Sequence, residues 1–129
     1  MYGSHAYAVV GLQSSVMSAS PHKLITLLFD GALSALAKAD IFMAQGNIAA
    51  KGTALSKAIE IIDNGLKMGL DMENGGELSH NLAGLYDYFC RQLIQVNLHN
   101  DRDLLQDIRL MLTGIADAWK HISPGGPQP

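Results

Sequence analysis

Residues 18–36 read SASPHKLITLLFDGALSAL. Ser20 is placed to cap a helix, its hydroxyl accepting a free backbone N–H one turn in. Pro21 follows at the first helical position, where its missing N–H leaves nothing unsatisfied. From there Leu24, Ile25, Leu27, Leu28, Phe29, Ala32, Leu33, Ala35 and Leu36 are apolar. On a wheel of about 100° per residue, Lys23, Thr26, Asp30, Ser34 and Lys38 share one narrow polar strip. A surface helix needs an apolar arc of little more than ~100°, and this one has roughly twice that. It requires two neighbours, or one neighbour and a partner.

Three more helices follow, each punctuated. The first runs over residues 21–45, with Gly46 at the position after its cap and Asn47 able to cap the next. The second covers residues 48–70. DMENGGE (71–77) is a turn broken by Asn-Gly-Gly. The third covers residues 78–98. NDRD (100–103) leads into the fourth, with Asn100 as its expected cap and Asp101 and Asp103 at the positive end of the dipole. The fourth reaches residue 122, and SPGGPQP (123–129) is expected to be a disordered tail. No segment alternates with the period of a strand. Four such helices with short connections predict an all-α fold, an antiparallel four-helix bundle over residues 17–122. Residues 1–16 form an N-terminal arm or a short extra helix.

Composition narrows the function. The chain has 129 residues, 48% apolar but only 16% charged, against a usual quarter. So little charge suggests a covered or partner-binding face. A net charge of −3 with no basic run argues against nucleic acid. The one cysteine, Cys90, excludes an intramolecular disulfide, fits a reducing compartment and reads as a buried structural thiol. The first 22 residues lack Lys, Arg, Asp and Glu, but without a basic start or an unbroken apolar run they do not form a signal peptide. No stretch is long enough for a membrane span. The expected location is the cytoplasm.

The wheels differ between helices. In the fourth, Leu104, Ile108, Met111, Ile115, Ala118 and Ile122 make a seam that Leu105, Leu112 and Trp119 widen, with Leu110 outside it. In the third, Leu78, Leu82, Leu85, Phe89, Leu93 and Val96 face the core, Tyr86 and Cys90 flank it, and Tyr88 falls on the polar side. The second helix has a core seam, Leu55, Ile59, Ile62, Leu66 and Leu70, and beside it a heptad-spaced second seam. That second seam is Ala54, Ala58, Ile61, Gly65, Met68 and Met72. Glycines at 52, 65 and 69 each weaken a helix by up to ~1 kcal/mol relative to alanine, so something should offset them. Two readings fit: close packing against the first helix, or a groove for a partner helix lined by adaptable methionine. The partner-binding candidates are the six residues of the second seam with Tyr88.

Catalytic signals are thin. The histidines (5, 22, 80, 99, 121) are scattered. Glu77 and His80 match the Glu-x-x-His of di-iron bundles, but no second copy exists. SHNLAGL (79–85) has the look of a histidine phosphotransfer motif centred on His80, the alternative reading. Ala83 stands there where a lysine would balance the phosphoryl charge. No motif calls for a cofactor or metal.

Five stretches together resemble the flagellin-specific export chaperones, the FliS family. They are MYGSHAYAVV (1–10), MSASPHKLITLLFDGAL (17–33), KGTALSKAIEIIDNGLKMGLD (51–71), GGELSHNLAGLYDYF (75–89) and NLHNDRDLLQDIRLMLTGIADAW (97–119). The resemblance implies a bacterial, cytoplasmic four-helix bundle without enzymatic activity. It implies binding of the disordered C-terminal region of flagellin, prevention of its premature polymerisation, and delivery to the flagellar type III export gate. It also implies an arm that caps the client surface when the client is absent, with Tyr7 docking at the gate and Val10 among the arm's apolar residues. Self-association of the client-free chaperone is a further expectation.

Overall fold

The computed structural model describes residues 20–122. The arm, with Tyr7 and Val10, and the tail lie outside the described residues. Four helices follow in order: α1 (Pro21–Ala44), α2 (Ile48–Glu60) continuing into a π-helical segment (Ile61–Lys67), α3 (Gly76–His99) and α4 (Arg102–Lys120). Among the described residues there is no strand, and no helix is long and apolar enough to cross a membrane.

The helix ends follow from local chemistry. Ser20 Oγ accepts the Lys23 N–H at 3.1 Å, with Pro21 just inside. At the other end Gly46 takes φ +69°. Its N–H donates to Met43 O at 3.2 Å, and the Asn47 N–H donates to Phe42 O at 2.9 Å, the paired bonds of a Schellman cap. Asn47 Oδ1 then caps α2 by accepting the Ala50 N–H. One expectation is corrected. Asn100 does not cap α4; it ends α3 in the left-handed region, φ +53°, which asparagine tolerates better than most residues. Asp101 caps α4 through the Leu104 N–H at 3.0 Å.

Each helix packs on two others, and α3 faces α1 across the bundle. Antiparallel pairing shows in which ends meet. Lys120, late in α4, pairs with Asp30 at 3.1 Å, and Arg102, early in α4, with Asp40 at 2.9 Å, both on α1. Lys67 pairs with Asp87 between α2 and α3 at 2.7 Å. Such exposed pairs are worth at most ~1 kcal/mol each, so they set orientation more than stability. A stronger tie is Lys51, which is only 6% exposed. Its Nζ donates to Asn97 O at 2.9 Å and Asn100 Oδ1 at 3.0 Å, placing a cation on the carbonyl end of α3.

The interior is Phe29, Leu36, Leu55, Ile62, Leu66, Phe89, Leu93, Leu105, Ile108 and Leu112, with small residues of α1 and α2 between them. The fourth-helix seam is offset from the expected one. Leu105, Leu112, Ala116 and Trp119 are buried, whereas Met111 and Ala118 lie on the outside. In α3, Tyr86 is buried and Leu78 is 56% exposed.

The second seam of α2 is filled from within. Ala54 and Ala58 are buried, and Ile61 is half-buried. A Cβ at Gly65 would come 3.1 Å from Leu28 Cδ2, and one at Gly31 would come 3.4 Å from Ile61 Cδ1. Of the two readings, close packing against α1 is the one seen at Ile61 and Gly65, where a glycine on either helix lets the two approach. The end of the helix explains the rest. The helix ends at Lys67, short of the expected residue 70, so Met68 is its C-cap and Met72 lies in the turn beyond it; both leave the seam, Met68 being 73% exposed. The glycines thus differ. Gly65→Ala should lower stability by ~1 kcal/mol, because Leu28 is wedged between helices and must give way. Gly52, where a Cβ meets nothing within 4 Å, should gain up to ~1 kcal/mol as Gly52→Ala. Urea unfolding midpoints moving in opposite directions are the expected result.

Candidate functional site

The broad arc of α1 is covered by α2 on one side and α4 on the other, but not to its end. Beside the start of α1 and the end of α4 the bundle opens into a groove of about 380 Å³. α1 contributes Ile25 and Phe29. The end of the π segment and its turn contribute Leu66, Gly69 and Leu70. α3 contributes Leu78, Leu82 and Tyr86, and α4 contributes Met111, Gly114, Ile115, Ala118 and Trp119, with Ile122 beyond. Among the described residues no charged side chain lines it.

Local sequence builds each wall. Behind Leu70, the Asp71 carboxylate accepts the backbone N–H groups of Asn74 at 2.9 Å and Glu73 at 3.2 Å. The Asn74 bond holds its carboxyl below the usual range. This turn spaces α3 from α2 at the groove. Tyr86 carries the one side-chain hydroxyl among the lining residues, and burial pushes its phenol up to about 12. On the α4 wall, Trp119 is 5% exposed and stacks on His22 with centroids 4.8 Å apart at 15°.

Such a surface suits burial of apolar side chains rather than polar catalysis. Among the described residues it has no convergent charged or nucleophilic groups to orient a small polar substrate, and its apolar lining matches the anchors of an amphipathic helix. His80 lies elsewhere, exposed in the first turn of α3, its Nδ1 2.9 Å from Gly76 O. Cys90 is half-buried, its thiol 3.8 Å from Ile59 O and pushed up to about 11 mainly by burial. Among the described residues no group of three or more His, Cys, Asp or Glu could hold a metal ion.

The seven expected partner-binding residues are scattered by the fold. Ala54, Ala58, Ile61 and Gly65 lie at the α1–α2 contact. Met68 and Met72 are exposed, flanking in sequence the groove residues Gly69 and Leu70. Tyr88 is half-buried and packs at the core margin, 6.1 Å from Phe89 between ring centroids. Leu82, Met111, Ile115, Ala118 and Ile122 were read as core. For the last four the signal was the two adjacent apolar seams of the fourth helical stretch, more than one core face accommodates.

The family model for flagellar protein FliS matches residues 3–126. The chain is 59% identical over 122 residues to the flagellar secretion chaperone FliS of Salmonella typhimurium, covering 95% of this chain and 90% of that one. It is 51% identical over 119 residues to the protein of the same name from Escherichia coli, covering 92% and 88%. The Bacillus subtilis protein of that name is 32% identical over 109 residues, covering 84% and 80%. The chain belongs to the FliS family of flagellar proteins.

Proposed function

We propose that this chain is a cytoplasmic flagellar secretion chaperone whose client is the C-terminal region of flagellin. It binds that region before export, keeps it from polymerising and brings it to the flagellar export gate. Its similarity to flagellar secretion chaperones supports the chaperone role. The observation that carries the client reading is the groove, an apolar surface of aliphatic and aromatic side chains that a disordered chain would cover by folding an amphipathic helix into it. Met68 and Met72, exposed on the neighbouring turn, would extend the contact. Tyr88 is a further contact at the α3 surface. The arm, through Tyr7 and Val10, would cover the client surface in the free protein and dock at the gate.

The test is titration of the full chain with a synthetic C-terminal flagellin peptide. A one-to-one complex with added helicity by circular dichroism is expected. No binding at tens of micromolar, roughly the −6 kcal/mol region of affinity, removes flagellin as the client.

A further inference from the structure

Trp119 is tied to α1 from both sides. Its indole Nε1–H donates to the His22 carbonyl at 3.1 Å, and that carbonyl also accepts from Thr26 Oγ1 at 3.1 Å. In return His22 Nε2 lies 3.1 Å from the Trp119 carbonyl. A carbonyl oxygen only accepts, so the imidazole carries its proton on Nε2. The rings lie nearly parallel between these two bonds. The pair is thus a reciprocal clasp between the first turn of α1 and the last turn of α4, and its indole is one wall of the groove.

We propose that His22 is a positioning residue for the groove. It holds the Trp119 indole edge-fixed, with the N–H turned to the His22 carbonyl and only ring carbons left for a bound helix. The in-plane bond from Nε1 alone leaves the indole free to tilt about it. The imidazole on its face, anchored at the Trp119 carbonyl, removes that freedom. An untilted indole keeps the wall apolar and in shape. A tilted one keeps its N–H on the His22 carbonyl but swings its ring carbons into the groove, into space that an apolar anchor of the client needs. The shape of the groove therefore depends on a histidine that is not among its lining residues. This rests on the reading of the groove as the client's seat.

Trp119 is the single tryptophan, so its spectra report on this wall alone. The experiment compares the full chain with His22→Ala, His22→Phe and Ala39→Gly. The last weakens α1 at a buried position nearly three turns beyond Phe29, the groove's last α1 residue. Near-ultraviolet circular dichroism reads the indole, and titration with the flagellin peptide reads the groove. His22→Ala should keep its helical signal, lose the tryptophan band and bind the peptide about tenfold more weakly, the size of a lost anchor. His22→Phe, which restores the stack without the hydrogen bond, should recover part of both. Ala39→Gly should unfold at lower denaturant yet bind as the unaltered chain does. Unchanged binding by His22→Ala, or equal weakening by Ala39→Gly, overturns the proposal. If the unaltered chain refuses the peptide, the flagellin reading alone falls. The positioning role is then read with the dye ANS, placed in the groove by energy transfer from Trp119. The same order of variants supports it, and equal dye affinity in all of them, or no transfer from Trp119, overturns it.

Discussion

Ile62→Asp is expected to prevent the bundle from folding, Ile61→Asp to weaken it, and Met68→Asp to leave it intact. These three positions, two in the π segment and one in the turn that follows it, separate core, helix contact and free surface. Ile62 is 0% exposed. Its replacement removes packing worth ~2–5 kcal/mol and buries a carboxylate with no partner. Together these approach the whole stability of a small domain, about 5–15 kcal/mol. Ile61 is half-buried against Gly31 of α1, so its carboxylate reaches partial solvent, and a loss of ~2–3 kcal/mol is expected. Met68 projects into solvent, and a change within ~0.5 kcal/mol is expected. Far-ultraviolet circular dichroism and urea unfolding distinguish the three. If Ile61→Asp proved as mild as Met68→Asp, α1 would not fill the seam, and that seam would again be a surface for a client.

This series marks where the sequence was legible. Helix number, order and most ends were readable because Ser20, Pro21, Gly46 and Asn47 act within a turn of themselves. The surplus apolar arc of α1 was readable for the same reason, since it is a property of one wheel. The fate of the second seam was not. Small residues at helical spacing permit a close approach, and the approaching helix can belong to the chain or to a partner. Alanine and glycine carry no mark that distinguishes the two. The π segment was hidden because its sequence is that of an ordinary helix and the extra residue is accommodated by packing. On α4 two adjacent apolar seams left the wheel unable to choose between Leu105–Leu112–Trp119 and Met111–Ile115–Ala118. The groove itself is assembled from the start of α1, the end of α4, the start of α3 and a turn. No single periodicity displays it.

Gly114→Phe should abolish client binding while leaving the bundle as stable as before, or slightly more so. Gly114 sits within α4 on the groove wall. A Cβ there meets nothing within 4 Å, so the ring enters the groove without displacing the core. In the helix, replacing glycine by phenylalanine gains a few tenths of a kcal/mol in propensity. The ring occupies the space the client's apolar anchors need, and the loss of a central anchor site is worth ~2 kcal/mol or more, about thirtyfold in affinity. Most substitutions that block a binding surface also destabilise the protein, so their effects are ambiguous. Here the two quantities move in opposite directions. Gly84→Phe is the matched control: it is also helical, exposed and clear of neighbours, but it lies outside the groove. It should bind the flagellin peptide as the unaltered chain does. Thermal unfolding and peptide titration of the two variants give the answer together. A folded Gly114→Phe chain with undiminished affinity would place the client on another face of the bundle, and the exposed methionines of the 68–75 turn would be the next surface to test.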